Sequence, residues 1–112
     1  MFTRAETTTT REMAPGVQVS TLCHGERVLM TRFRLTAGHE LPRHSHVQEQ
    51  TGYLVSGRIL LSIGDEEFDA APGSSWCIGS GVYHGAMIVE DSIAIEVFSP
   101  VREDLLPVAT PP

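Results

Sequence analysis

Three histidines have the side-chain type and the spacing that could bind a metal ion. His44 and His46 are two residues apart, and alternate side chains of a β-strand share a face, so a strand here points both imidazoles the same way. His84, from a distant segment, supplies a third imidazole. Three imidazoles with one side-chain oxygen leave coordination positions open for a small molecule. The pattern therefore predicts a metal centre with exchangeable ligands.

The fourth ligand is predicted to be an oxygen from the segment that follows His46. Gln50 and Glu49 are both present there, and neighbouring residues of a strand face opposite sides, so one of them faces the metal. A glutamine leaves the whole ligand set neutral, whereas a glutamate compensates part of the charge of a divalent ion. A bulge at this bend would turn Glu49 inward in place of Gln50. The residues alone leave both ligands open.

The surroundings of these histidines resemble the two sequence motifs of the cupins, a family of small β-barrels. The residues that match the first motif are Gly38, His44, His46 and Gly57, with Gln50 in place of a glutamate. The residues that match the second are Gly73, Gly81 and His84, with Gly79 and Ile88 in place of a proline and an asparagine. The resemblance covers residues 15–104 and implies an all-β fold, a double-stranded β-helix or jelly-roll barrel in a single domain. The metal ligands it implies are His44, His46, Gln50 and His84.

A second group of residues with chemical potential ends the last predicted strand. Glu96 and Phe98 share one face of that strand, and Arg102 follows after Pro100. Such a group suits an acidic sugar, because an acid can move a proton, a ring can stack on a sugar and a guanidinium can bind a carboxylate. The alternative is an exposed Glu96, a core Phe98 and a solvated Arg102. Spacing does not choose between these two interpretations.

The segments 44–50 and 98–104 together resemble the KdgF family of pectin-degradation proteins. Members of that family are small single-domain metal cupins that open 4,5-unsaturated uronate monosaccharides to linear keto acids. The resemblance implies a metal site of two histidines, a glutamine and a third histidine, occupied by one divalent ion, whether zinc, nickel, iron or manganese. It implies that Glu96, where the relatives tend to have aspartate, is catalytic, and that Phe98 and Arg102 bind the substrate.

Two other functions remain open beside this one. A non-catalytic cupin would bind a small acid without turnover, and a metal-dependent cupin dioxygenase would need a redox metal and an apolar substrate pocket. The binding module ranks above the dioxygenase, because small single cupins often offer no acid or base beyond the metal ligands, and here only Glu96 argues against it.

The elements that must position these residues are predicted to be seven or more short strands joined by turns. One predicted reversal, at Ser56-Gly57, separates strands over 53–55 and 58–63. Another, at residues 90–92, separates strands over 86–89 and 93–98. Trp76 is predicted to belong to the core.

Length and composition restrict the remaining possibilities. The 112 residues predict one domain, with a barrel over 13–104 and flexible tails over 1–12 and 105–112. A net charge of −6 argues against nucleic acid and anionic membranes as partners. All eight basic residues are arginines, which excludes lysine-dependent Schiff-base and P-loop chemistry. The chain lacks an apolar leader and any run of membrane-spanning length, so a cytoplasmic protein is expected.

A homodimer is also expected. The last predicted strand is apolar on one face through Ile93, Ile95 and Val97 and partly apolar on the other through Ala94 and Phe98. A strand that is apolar on both faces needs two covers. The barrel core provides one of them, and a second subunit is predicted to provide the other.

Overall fold

A computed structural model describes residues 1–106, and over that range the chain folds into eight antiparallel strands with two short 3-10 turns, Ala5–Thr7 and Glu103–Leu105. The strands are β1 (Thr10–Ala14), β2 (Val17–His24), β3 (Leu29–Leu35), β4 (Glu40–His44), β5 (Glu49–Ile63), β6 (Glu66–Ala70), β7 (Ser75–Ile78) and β8 (His84–Ser99). No helix in this part of the chain is long and apolar enough to cross a membrane.

Two long strands, β5 and β8, organise the fold by pairing with each other along their whole length. The second half of β8 pairs with β3 and its first half with β4, while the first half of β5 pairs with β7 and its second half with β6. The result is two sheets that share β5 and β8, one in the order β1-β2-β3-β8-β5-β7 and the other in the order β4-β8-β5-β6. This arrangement confirms the predicted all-β jelly roll.

The two predicted reversals within β5 and β8 are wrong, because the structure has a bend at each of these places and the strand continues. Gly57 has a φ of 90°, and a Cβ added to it would lie 2.1 Å from Oγ of Ser92 on the paired strand. The same Oγ accepts a hydrogen bond of 3.0 Å from the backbone N–H of Arg58. Residues typical of turns indicate a change of backbone direction, and here that change carries both strands from one sheet into the other.

The core lies between the two sheets and is built from alternate side chains. On β3 the side chains of Leu29, Thr31, Phe33 and Leu35 are buried, and those of Met30 and Arg34 are exposed, as the strand alternation predicts. Each fully buried aliphatic or aromatic side chain contributes about 1.5–3 kcal/mol. The same alternation on β8 turns Ala94, Glu96 and Phe98 inward. Two residues of the predicted functional group therefore lie inside the barrel.

Parts of both predicted tails belong to the folded domain. Residues 10–12 belong to β1, which pairs with β2. At the other end Leu105 is only 2% exposed and packs in the core, and its carbonyl accepts a hydrogen bond from the hydroxyl of Thr21. The guanidinium of Arg11 likewise donates to the carbonyl of Asp104. Local polarity suggested frayed ends, whereas contacts between the two ends hold them in place; residues 107–112 of the predicted tail lie outside the described residues.

Candidate metal centre

The three predicted histidines converge in space. His44 ends β4, His84 begins β8, and the two are directly paired across the strands. Their ring centres are 4.3 Å apart, and the ring of His46 lies 4.9 Å from His84 and 5.7 Å from His44. One ligand atom from each ring can be chosen so that all three lie within 4.8 Å of one another. The chain thus brings these three side chains to one point.

The route by which His46 arrives differs from the predicted one. β4 stops at His44, so His46 lies in the loop that follows and does not share a strand face with it. The backbone carbonyl of His46 accepts a hydrogen bond of 2.8 Å from the N–H of Gly81, which ties this loop to the loop before His84. A loop contact therefore aims the second imidazole, where strand alternation had been expected to do so.

A close approach of β4 to β8 brings His44 beside His84. A Cβ added to Gly85 would lie 2.8 Å from the carbonyl oxygen of Leu41 and 3.1 Å from the backbone nitrogen of Arg43. The pairing shifts register at the same place, between Leu41 and His44. Only a residue without a side chain permits this spacing, because a Cβ would collide with backbone atoms.

Backbone carbonyls fix the tautomer of all three rings. The Nδ1 atom of His44 lies 2.7 Å from the carbonyl oxygen of Pro42, that of His46 lies 3.0 Å from Gln48, and that of His84 lies 2.9 Å from Val82. A carbonyl only accepts, so each Nδ1 carries the hydrogen and each Nε2 keeps a free lone pair. Among the described residues, Nε2 of His84 is the one buried side-chain polar atom without a hydrogen-bond partner. A buried lone pair with no donor fits a metal ligand.

The electrostatics keep the imidazoles of His46 and His84 neutral. Burial lowers the pKa of His84 to about 4. Burial also lowers the pKa of His46, and the positive charge of Arg102 adds to that effect. Neutral imidazole is the form that binds a metal, so these two rings are in the metal-binding form at neutral pH.

Gln50 is the oxygen donor that faces the histidines, and Glu49 is not. The strand alternation of β5 buries Gln50, which is 6% exposed, and turns Glu49 outward. The Oε1 atom of Gln50 lies 3.1 Å from Nε2 of His46, and its Nε2 donates a hydrogen bond of 2.8 Å to Oε2 of Glu96. Two acceptor atoms, the amide oxygen and the free nitrogen of His46, thus face each other. A cation held between them would satisfy both, so the residues present fit a divalent metal.

Glu96 is buried against the metal ligands and is 7% exposed. Its Oε2 accepts hydrogen bonds from Nε2 of Gln50 at 2.8 Å and from Nε1 of Trp76 at 3.3 Å. Burial raises the pKa of this carboxyl to about 8, although the two hydrogen bonds act in the opposite direction. At neutral pH the carboxyl is therefore mostly protonated and can donate a proton.

Arg102 reaches the same place from beyond the end of β8. Its guanidinium donates to both carboxylate oxygens of Asp104, at 2.8 and 3.3 Å, and lies 5.0 Å from the centre of the Phe98 ring. The residue is 9% exposed, so its charge is held in place by an ion pair and by an aromatic face. A guanidinium held in this way can receive a carboxylate with little loss of side-chain freedom.

Phe98 is not placed as predicted. The ring is 0% exposed, one face is covered by Arg102, and it meets the ring of His46 at 5.6 Å in a T-shaped contact. A ring in that position offers no free face for stacking on a sugar. Instead, the ring packs against His46 and Arg102 and supports both side chains.

A small cavity of about 30 Å³ lies at the centre of these side chains. Its lining includes His44, Gln50, His84, Glu96 and Arg102, together with apolar side chains of both sheets. A cavity of this volume holds one or two water-sized groups. A monosaccharide is larger, so its entry requires some of the lining side chains to move.

Trp76 is the functional candidate that sequence reasoning missed. It packs against the core, as predicted, and in addition it lines the cavity from β7 and donates to Glu96. Its other side borders a separate outer groove of about 420 Å³ lined also by Phe68 and Cys77. No local signal in the sequence indicates this role, because only the pairing of β7 with β5 places Trp76 opposite Gly52.

Comparisons with known proteins agree with this fold. The model of the cupin domain family matches residues 31–99. The structure of KdgF from a Halomonas species is similar, with a TM-score of 0.88 and 27% identity, over 95% of this chain and 98% of that chain. An RmlC-like cupin from Shewanella frigidimarina gives a TM-score of 0.89 and 26% identity over 94% and 95% of the two chains. A predicted oxalate decarboxylase from Thermotoga maritima shares the fold alone, with a TM-score of 0.77 and 16% identity over 90% of this chain and 100% of that chain. A search of curated proteins finds no significant match.

Proposed function

This chain belongs to the cupin family, and on that basis we propose that it is a metal-dependent enzyme that opens 4,5-unsaturated uronate monosaccharides to keto-deoxyuronates. The observation that carries the proposal is the position of Glu96 and Arg102 on the wall of the cavity that also contains His44 and His84. A protein that only binds a small acid needs the histidines and one positively charged side chain to pair with that acid. A buried, protonated carboxyl beside them serves a proton transfer. The similarity to KdgF over almost the whole chain adds support.

The reaction is an isomerisation that needs one proton removed and one proton added. The anomeric hydroxyl loses its proton, the bond between the anomeric carbon and the ring oxygen breaks, and the enol that remains gains a proton on carbon. A divalent ion bound by His44, His46, Gln50 and His84 would supply Lewis-acid polarisation of sugar oxygens. The reaction involves no redox change, so zinc, nickel, iron and manganese are all compatible with it.

The side chains divide the remaining work. Glu96 donates the proton that forms the ketone and recovers one from the hydroxyl, so that no external acid is consumed. Arg102 pairs with the substrate carboxylate in exchange for part of its contact with Asp104. The ring of Phe98 packs against that guanidinium and keeps it beside the cavity. A small acidic sugar as ligand and a cytoplasmic location complete the proposal.

The test is the loss of absorbance of the conjugated double bond when metal-loaded protein is mixed with an unsaturated uronate. Glu96→Gln keeps the shape and the hydrogen-bond acceptor but removes the ionisable proton, so kcat should fall by about a hundred- to ten-thousand-fold. Metal content should be retained. Glu90→Gln, an exposed substitution on the same strand, is the matched control and should leave the rate unchanged.

Arg102 is tested by a different readout, because a clamp acts through binding and orientation. Arg102→Ala should raise KM for the uronate and leave the binding of neutral sugars unchanged, with Arg34→Ala as an exposed control. Wild-type protein that binds the acid without accelerating its opening would instead identify a binding module. Oxygen consumption by the iron-loaded protein would identify a dioxygenase.

A further inference from the structure

Three residues in one row across the sheet connect β7, β5 and β8. Gly52 on β5 is paired with Trp76 on one side and with Glu96 on the other. Alternation turns this row inward, toward the cavity. Trp76 and Glu96 are therefore separated by a strand that carries no side chain at the point between them.

The missing side chain of Gly52 is what lets the indole reach the carboxyl. A Cβ added to Gly52 would lie 2.1 Å from Nε1 of Trp76 and 2.4 Å from Oε2 of Glu96. These are the two atoms that form the 3.3 Å hydrogen bond. Both hydrogen bonds received by the carboxyl, from Trp76 and from Gln50, end on Oε2. The second oxygen, Oε1, is thereby left available to a ligand.

We propose that Trp76 is a positioning residue for the ring-opening reaction, which holds Oε2 of Glu96 across Gly52 so that Oε1 exchanges the proton with the substrate. This inference rests on the proposed function and adds two residues to it. A carboxyl held by Gln50 alone could rotate about that single contact, whereas two donors on one oxygen fix its direction. A misplacement of about 1 Å in such a group costs on the order of a hundredfold in rate.

The first test replaces Trp76 with phenylalanine, which removes the N–H donor and keeps an aromatic ring between the cavity and the outer groove. Alanine is unsuitable, because it would join the cavity to the 420 Å³ groove. In Trp76→Phe, kcat should fall by about tenfold, as expected for one lost hydrogen bond to a carboxyl, with KM and metal content within about twofold of wild type. A wild-type kcat, or a loss of rate matched by a loss of metal, would overturn the proposal.

The second test adds a side chain at Gly52, between Trp76 and Glu96. Gly52→Ala places a methyl group on the contact, so it should displace the carboxyl and lower kcat by on the order of a hundredfold. Gly25→Ala is the control, since no atom lies within 4 Å of its added Cβ and its φ is not positive. The control should keep the wild-type kcat. If Gly52→Ala does not fold, the result with Trp76→Phe decides by itself.

A structural readout separates this proposal from the proposed function. If wild-type protein does not open the sugar, the proposed function fails, and crystal structures of metal-loaded wild type and Trp76→Phe decide whether Trp76 positions Glu96. A carboxyl that turns or shifts measurably in the variant supports the positioning role, and an unmoved carboxyl overturns it.

Discussion

At the scale of single residues, the histidine cluster can be tested without any substrate. His44→Ala with His46→Ala removes two of four ligands and should abolish stoichiometric metal binding. Elemental analysis of the purified protein gives the metal content directly. His24→Ala with His39→Ala is the matched control, because these two histidines lie outside the cluster and their loss should leave the metal in place. Full metal occupancy in the first variant would show that the ion binds elsewhere.

The protonation of Glu96 has a measurable effect on the stability of the metal-free protein. Its pKa is about 8 in the folded state, raised by burial from 4.5. Between these values the folded protein keeps a proton that the unfolded chain releases, so the free energy of unfolding should fall as the pH rises, by up to about 1.4 kcal/mol per pH unit. Glu96→Gln should lose this slope.

Urea unfolding between about pH 5 and pH 8 measures this difference. The lowered pKa of His84 works in the opposite direction, since its stabilising contribution is lost as the pH falls from about 6.5 toward 4. That effect is common to wild type and to Glu96→Gln and cancels when the two are subtracted. Equal slopes in both proteins would mean that Glu96 is ionised in the folded state.

At the scale of elements, the spacing between β4 and β8 sets the distance between two ligands. Gly85→Ala puts a methyl group 2.8 Å from the carbonyl of Leu41 and should push β4 outward. His44 would then move away from His84, and metal affinity should fall by at least about tenfold, with a stability loss of about 1–3 kcal/mol. Isothermal titration with zinc measures the affinity.

A control for the strand substitution is Gly79→Ala, in which the added Cβ makes an ordinary contact of 3.6 Å with Val82. This glycine lies in the loop before His84, so it tests whether any added methyl group near the site is harmful. Wild-type zinc affinity in Gly85→Ala would show that β4 can shift without disturbing the ligands.

At the scale of the whole molecule, one face of the larger sheet is apolar and open to solvent. Ile93, Ile95 and Val97 are half-buried on its outer side, and Tyr53 and Val55 beside them are 49% and 47% exposed. Apolar patches of this kind mark interaction surfaces. The homodimer predicted from the sequence would cover this patch through a two-fold contact.

Light scattering of the purified protein at micromolar concentration measures the assembly. Wild type is expected to be a dimer, and Tyr53→Arg with Val55→Arg should dissociate it, since two buried like charges would oppose each other across the contact. Val89→Arg, an exposed position on β8 in the segment paired with the other sheet, should remain dimeric. Monomeric wild-type protein would exclude this interface.

Much of the ligand chemistry could be predicted because it depends on residue type and local spacing. The three histidines could be identified from their type and spacing, and Gln50 from the resemblance in the motif. Alternation places Glu96 and Phe98 on one strand face but does not say whether that face points inward, so the buried position of Glu96 came from the structure. The all-β fold could be predicted for the same reason, since short apolar periods and frequent turn residues are local properties.

Pairing between distant strands decided the rest. Nothing local distinguishes a reversal at Ser56-Gly57 from a bend, and the structure makes it a bend because Ser92 of the partner strand occupies the space beside Gly57. The register of β5 with both neighbours sets Trp76 across Gly52 from Glu96, and the contacts of Phe98 bury a ring that was expected to meet a sugar. The sequence by itself determined which groups can do chemistry and, within a strand, which of them share a face. Only the tertiary structure determined which of them meet, because contact across strands depends on a register that no single segment encodes.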